Sequence, residues 1–326
     1  MMQILKNNGM ELINVALANK ILLKISSALV SIFGSLILVF FIIYLLPGDP
    51  VLSMLDPSTA TAETVANLRK ELGLDQPIYI QFADYFLNVL HGDFGQSIIN
   101  SEPVLPKVLE HFPATLALTL TSAIFSIVIG LLFGVLSAIY RNKWIDFIAR
   151  LIGLFGISMP TFWSGILLIL IFSVFLNWFP AMGSDGWKTL VLPSLSLGFV
   201  GAGLIIRMVK TSMLEVVNEQ FIVTLRAKGL SERVIMYQHA LRNALIPAIT
   251  IIGINIGELM AGTVVIETVF SRQGVGRIVA DAIMAKDLPV IQGVVFFSAI
   301  VYVIVNLLVD LSYSLIDPRV RRSDQR

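Results

Sequence analysis

The chain contains no cysteine, which excludes disulfides, thiolate metal sites and thiol chemistry. Its three histidines, His91, His111 and His239, are far apart and never spaced i, i+4, so no histidine metal site is expected. No Ser/His/Asp constellation stands out, and no catalytic residue is expected. One stretch, Gly183-Ser184-Asp185-Gly186-Trp187-Lys188-Thr189, has the flavour of a phosphate loop. Trp187 interrupts the Gly-Lys pair and the spacing is short, so no nucleotide site is expected there. Internal repeats and low-complexity linkers are also absent, which argues for one integral domain. Charge is scarce too. Only 14% of residues are Asp, Glu, Lys or Arg, where soluble domains carry about a quarter.

What fills the chain instead is apolar: 56% hydrophobic residues and a mean hydropathy of +0.84. Such a chain belongs in lipid. Crossing a hydrocarbon core takes about 20 apolar residues per helix. Six runs reach that length, at 25–46, 115–139, 147–175, 190–209, 245–270 and 290–316. The first is too long for a signal-peptide core and has no small-residue cleavage site, so it reads as a retained helix. The third carries Pro160, which a membrane helix tolerates as a kink when neighbours satisfy the freed carbonyl.

Lys and Arg gather on alternate loops. With the N-terminus inside, sixteen of the 23 fall on inner segments, including Arg141, Lys143, Arg226 and Lys228; seven, including Lys188 and Arg272, fall on outer ones. Both termini are therefore expected in the cytoplasm. The expected organisation is a cytoplasmic lead at 1–24, a first transmembrane helix at 25–46 and an external cap segment at 47–113. A five-helix core at 114–316 and a cytoplasmic tail at 317–326 follow. Within the cap, 62–72 reads as a helix closed by Gly73. A second helix starts near Pro77, with Phe82, Tyr85, Phe86 and Val89 on one face.

Between the fourth and fifth apolar runs lies a polar hairpin at 213–245. Helical character through 215–228 ends in Gly229, suited to a left-handed C′ position. Ser231 is placed to cap the next helix, with Glu232 in its first turn. A helix–turn–helix can serve DNA binding, but membrane spans about ten residues away on either side leave no room to reach a groove. No nucleic-acid partner is expected.

Leu225-Arg226-Ala227-Lys228-Gly229-Leu230-Ser231-Glu232, with Leu241-Arg242-Asn243-Ala244-Leu245-Ile246-Pro247, resembles the cytoplasmic coupling region of ABC importer permeases, in the form found in the dipeptide/oligopeptide/nickel branch. The likeness covers nearly the whole chain. It includes Pro47-Gly48-Asp49-Pro50, Gly92-Asp93-Phe94-Gly95-Gln96-Ser97, Pro113-Ala114-Thr115-Leu116, Ser158-Met159-Pro160-Thr161-Phe162 and Leu192-Pro193-Ser194-Leu195. Glu267, Phe270, Gly274, Gly276, Asp287, Pro289 and Asp317-Pro318-Arg319 complete the series. The chain departs from the general importer consensus at Val223-Thr224-Leu225 and at Leu241-Arg242, where the branch shares the looser form.

The resemblance implies an all-α integral membrane permease of the MetI-like fold in the bacterial cytoplasmic membrane. It would be a transport subunit, not an enzyme, working by alternating access. Implied partners are a second homologous permease subunit, two ATPase subunits that hold the ATP and magnesium, and an extracytoplasmic solute-binding protein. No cofactor is expected in this chain. Arg226, Ala227, Lys228, Gly229, Leu230, Ser231 and Glu232 would couple to the ATPase. Arg272, Gln273, Gly274 and Gly276 on the outer loop 271–289 would contact the binding protein. The implied substrate is a di- or oligopeptide, with nickel or a metal chelate as the alternative.

Inside the spans, Gly130-x-x-x-Gly134 and Gly253-x-x-x-Gly257-x-x-x-Ala261 are small-residue stripes fit for close helix approach. Asn255 and Glu258 sit in the middle of the fifth run. Polar groups at that depth face the bundle interior or a wet cavity, so these two are candidates for the translocation pathway. Asp310, near the inner end of the last run, is expected to be structural. A self-sufficient channel or secondary transporter is a distant alternative. It would carry an inverted repeat and discontinuous helices, neither of which the sequence shows.

Overall fold

The computed structural model describes residues 22–41, 51, 61–71 and 73–316. The lead, Pro47-Gly48-Asp49-Pro50, Asp317-Pro318-Arg319 and the tail lie outside the described residues, as does the Asp310 side chain. The described chain is helical, with one isolated antiparallel bridge between Gln96 and Pro103. In chain order the helices are α1 (Leu22–Phe41), α2 (Ala62–Glu71), α3 (Ile78–Leu90), α4 (Val104–Ile139), α5 (Trp144–Ser158) and α6 (Thr161–Leu168, continued by the π-helical Ile169–Phe175). Next come α7 (Lys188–Val217), α8 (Gln220–Ala227), α9 (Glu232–Val269, with π-helical turns over Ile235–Ala240), α10 (Val275–Ala285) and α11 (Leu288–Ile316). Among the described residues five helices, α1, α4, α7, α9 and α11, are long and apolar enough to cross a membrane, and six spans result if α5 and α6 are taken as one.

The third apolar run departs from the expected kink. α5 and α6 meet at 114°, so the span is broken, although the sequence shows no discontinuous helix. Its cause is local. Met159 precedes proline and is held extended at φ −86°, ψ 131°, while Pro160 takes φ −60°, ψ 137° at the entry to α6. Backbone groups on both sides of the break are paired within the protein: the Met159 amide donates to the Phe155 carbonyl at 3.0 Å, the Trp163 and Ser164 amides to the Pro160 carbonyl at 3.1 Å, and Ser196 Oγ of the later Lys188–Val217 helix reaches the Thr161 carbonyl at 2.8 Å. Irregular backbone at membrane depth survives only with such partners.

The chain forms two compact units, Met1–Leu105 with Lys286–Val309, and Pro106–Ala285 with Asp310–Arg326. In the first, α2 ends before Gly73, whose φ is +66°. Phe82, Tyr85, Phe86 and Val89 of α3 pack on Leu36, Val39 and Phe296, the face expected from their spacing. Phe40 adds ring contacts to Phe82 and Tyr85. Among the described residues the buried Tyr85 hydroxyl has no hydrogen-bond partner, and burial pushes its pKa up to about 12.

In the second unit α7 is the central element. Three glycines on it serve three neighbours. A Cβ on Gly198 would lie 2.6 Å from the Ser122 carbonyl oxygen of α4, and one on Gly203 would lie 2.6 Å from the Gly153 carbonyl oxygen of α5. A Cβ on Gly201 would overlap the Asn255 amide of α9. The α4 stripe behaves as its spacing suggested: Gly130 faces Ile205, and Gly134 faces Val209 and the Ile206 carbonyl oxygen. Gly253 and Gly257 are buried. Without a hydrophobic force between helices in lipid, backbones brought this close supply the contact that holds them.

Candidate functional site

The hairpin at 213–245 is built from α7, α8 and the start of α9. α7 runs on to Val217, past the expected end of the fourth span, before a break at Asn218 and Glu219 starts α8. Gly229 takes φ +80°, the left-handed conformation expected of it. Ser231 occupies the N-cap position, but its side chain makes no capping hydrogen bond. The corner is closed instead by an ion pair: Arg226 Nε donates to Glu232 Oε1 at 2.6 Å, and a second guanidinium nitrogen donates to Oε2 at 3.3 Å. Ile222 and Ile235 are buried beneath it. Arg226, Ala227, Lys228, Gly229, Ser231 and Glu232 are exposed, and Leu230 is half-buried. Among the described residues nothing approaches a Cβ built on Gly229. The hairpin is thus a fixed, outward-facing corner.

Asn255 and Glu258 do share a site. With Leu204, Arg207, Met208, Thr211, Ile251 and Ile254 they line an open groove of ≈ 260 Å³ between α7 and α9. Asn255 is buried against Gly201, and Glu258 is exposed to the groove. Arg207 was not singled out from the sequence, where it reads as one of the inner-end cations. Its spacing of four from Thr211 on α7 was the available signal.

On the outer loop the four candidate contact residues differ in exposure. Arg272, Gly274 and Gly276 are buried, and Gln273 alone of the four is exposed. The two glycines make room for Glu267. A Cβ on Gly274 would overlap its carboxylate, and one on Gly276 would lie 2.9 Å from Oε2. Glu267 is fully buried and accepts hydrogen bonds from Thr115 Oγ1 at 2.6 Å and the Arg277 amide at 3.1 Å. The Val275 amide donates to Thr115 Oγ1 at 2.8 Å. Burial lowers the affinity of Arg272 for its proton, with the nearby Glu267 opposing.

A further knot, unforeseen in the sequence, gathers at Asp146. Its Oδ1 accepts from Ser137 Oγ and Lys210 Nζ, both at 2.5 Å, and Oδ2 accepts from the Asn142 amide at 3.0 Å. Asp146 is 1% exposed, so α4, α5 and α7 are pinned together by one buried carboxylate. Among the described residues no group of three His, Asp or Glu side chains is arranged to hold a metal ion.

Comparison with known proteins places this geometry. Residues 130–322 match the family described as "Binding-protein-dependent transport system inner membrane component", and residues 18–119 match the N-terminal family of the same membrane components. A glutathione transport system permease protein, GsiC of Salmonella choleraesuis, is 41% identical over 285 residues, 87% of this chain and 93% of the relative. Its Escherichia coli counterpart is 38% identical over 303 residues, 93% and 99% respectively. Among solved structures, an inward-facing MetNI methionine ABC transporter chain superimposes with a TM-score of 0.57 at 23% identity, covering 67% of this chain and 99% of that one. That likeness supports the all-helical permease fold. The chain belongs to the binding-protein-dependent inner membrane components and is a permease subunit of an ABC importer.

Proposed function

We propose that this permease carries short peptides, in the range from dipeptides to oligopeptides and including glutathione-like tripeptides. The observation that carries this reading is the open groove between α7 and α9, which presents Asn255 and Glu258 beside apolar walls. Peptides offer amide groups and a charged amine to such a surface. The identity to glutathione permeases over nearly the whole chain supports the same substrate class.

The chain would work beside a second, homologous permease, two ATPase subunits and an extracytoplasmic binding protein, with both of its termini in the cytoplasm. ATP and magnesium would act in the ATPases. The corner at Arg226–Glu232 would dock there and pass their closure to α7 and α9, whose ends it joins. Gln273, exposed on the outer loop, would meet the binding protein. Alternating access follows when the hairpin moves the inner ends of these helices.

The test has two stages. Purification through a tag on this chain in mild detergent, followed by mass spectrometry, identifies the partners. The reconstituted complex is then assayed for ATP-driven uptake of glutathione, dialanine, a pentapeptide and a nickel–histidine chelate. Uptake of one or more peptides is expected. Uptake of the nickel chelate alone would replace the peptide reading with the metal one, and recovery of this chain without ATPases would overturn the coupling role.

A further inference from the structure

We infer that Arg207 and Glu258 form the two ends of a bipolar cradle in the permease, which grips a zwitterionic peptide by its carboxylate and its amine. This rests on the peptide reading and specifies its site. Both side chains line the same groove. Both are exposed to it. Among the described residues neither has a hydrogen-bond or ion-pair partner, although each lies on a helix long and apolar enough to cross the membrane. Charge placed there without a partner is costly and marks a pathway or a ligand.

The helix geometry explains why they do not pair with each other. α7 and α9 run antiparallel: Gly262 faces Leu197, and Asn255 faces Gly201. From the Gly201–Asn255 contact, Arg207 lies six residues along α7, and Glu258 three residues along α9 in the opposite direction. A rise of 1.5 Å per residue separates their levels by roughly 13 Å. Long side chains shorten the gap between the charged tips. An extended dipeptide or tripeptide spans roughly 7–11 Å, so its two termini fit between them. The Asn255 amide lies between the two levels and lines the same groove, and among the described residues it has no hydrogen-bond partner. Leu204, Met208, Ile251 and Ile254 supply apolar walls indifferent to side-chain identity.

The test uses the complete transporter in proteoliposomes, with binding protein and ATP, and glutathione and trialanine as probes. Arg207→Gln and Glu258→Gln remove each charge at nearly constant shape; Arg207→Lys and Glu258→Asp keep it. Each Gln variant should lower uptake of a transported probe at least about tenfold, the scale expected for losing a desolvated charge contact. ATP hydrolysis stimulated by the loaded binding protein should persist, and each charge-keeping variant should transport clearly more than its Gln counterpart. Gln variants that transport within about twofold of wild type would overturn the cradle while leaving peptide transport intact. Parallel loss of stimulated hydrolysis, or equal failure of the charge-keeping variants, would make the two residues structural and also overturn it. Failure of the wild type to import either probe would overturn the peptide reading and the cradle with it.

Discussion

Ser97 Oγ donates to Asp287 Oδ2 at 2.5 Å across 190 positions of sequence, and the Ile98 amide donates to Oδ1 at 3.2 Å. The carboxylate thereby ties the turn after Gly92-Asp93-Phe94-Gly95-Gln96 to the start of α11. Both residues are buried. Gly95, at φ +80°, lies against Pro289, and a Cβ on Gly293 would press on Val104. Asp287→Ala should destabilise the protein by about 1–3 kcal/mol, the cost of stranding buried donors. Asp287→Asn keeps one acceptor oxygen and should fall between it and wild type. Thermal unfolding in detergent checks the order, and an unchanged Tm for Asp287→Ala would show that the tie holds nothing.

Gly274 and Glu267 occupy one volume. Gly274→Ala should destabilise by about 1–3 kcal/mol through overpacking. In a Glu267→Ala background the space opens, so the same substitution should become nearly neutral. A double-mutant cycle on unfolding measures this coupling directly. Additive effects would mean that the carboxylate does not set the loop.

Asp146 and Lys210 test the knot at the inner ends of α5 and α7. Asp146→Asn leaves a largely buried ammonium with a neutral partner, and removal of one member of such a pair costs about 3–5 kcal/mol. Lys210→Met added to Asp146→Asn should recover much of the loss, because the stranded charge is gone. Tm and the yield of monodisperse protein are the readouts. A double variant no better than the single would assign the effect to the Ser137 and Asn142 bonds instead.

Gly229 separates conformation from contact. Its φ of +80° strains most residues with a Cβ, yet among the described residues nothing lies near that Cβ. Asn tolerates the left-handed region, so Gly229→Asn should transport at close to the wild-type rate. Gly229→Trp projects bulk outward and should lower transport per ATP hydrolysed without impairing insertion. Transport by Gly229→Trp equal to wild type would remove the corner from the coupling mechanism.

Much of the architecture is legible in the sequence because lipid imposes a simple rule. Backbone groups at membrane depth must be satisfied within the helix, so long apolar runs can only be spans. The Gly229 corner and the apolar face of α3 follow from equally local causes, a left-handed turn and a 3.6-residue period. The broken α5–α6 span was less legible. Pro160 signals a weakness, but the 114° turn and the contact of Ser196 Oγ with the Thr161 carbonyl beside it are visible only in the folded chain.

The sites divide in the same way. Asn255 and Glu258 stand out locally as polar residues in an apolar run, and the structure joins them in one groove. Nothing in the spacing of Gly274 and Gly276 reveals that Glu267 and Thr115 come to fill the space beneath them. The sequence by itself determined a polytopic helical chain, its spans and its exposed hairpin, since these depend on hydropathy and short-range backbone preference. Only the tertiary structure decided that Ser97 meets Asp287, that Asp146 meets Lys210, and that Arg207 shares a groove with Glu258. Those pairings depend on which faces of distant helices touch; around α7 the glycines at 198, 201 and 203 let three helices close on it.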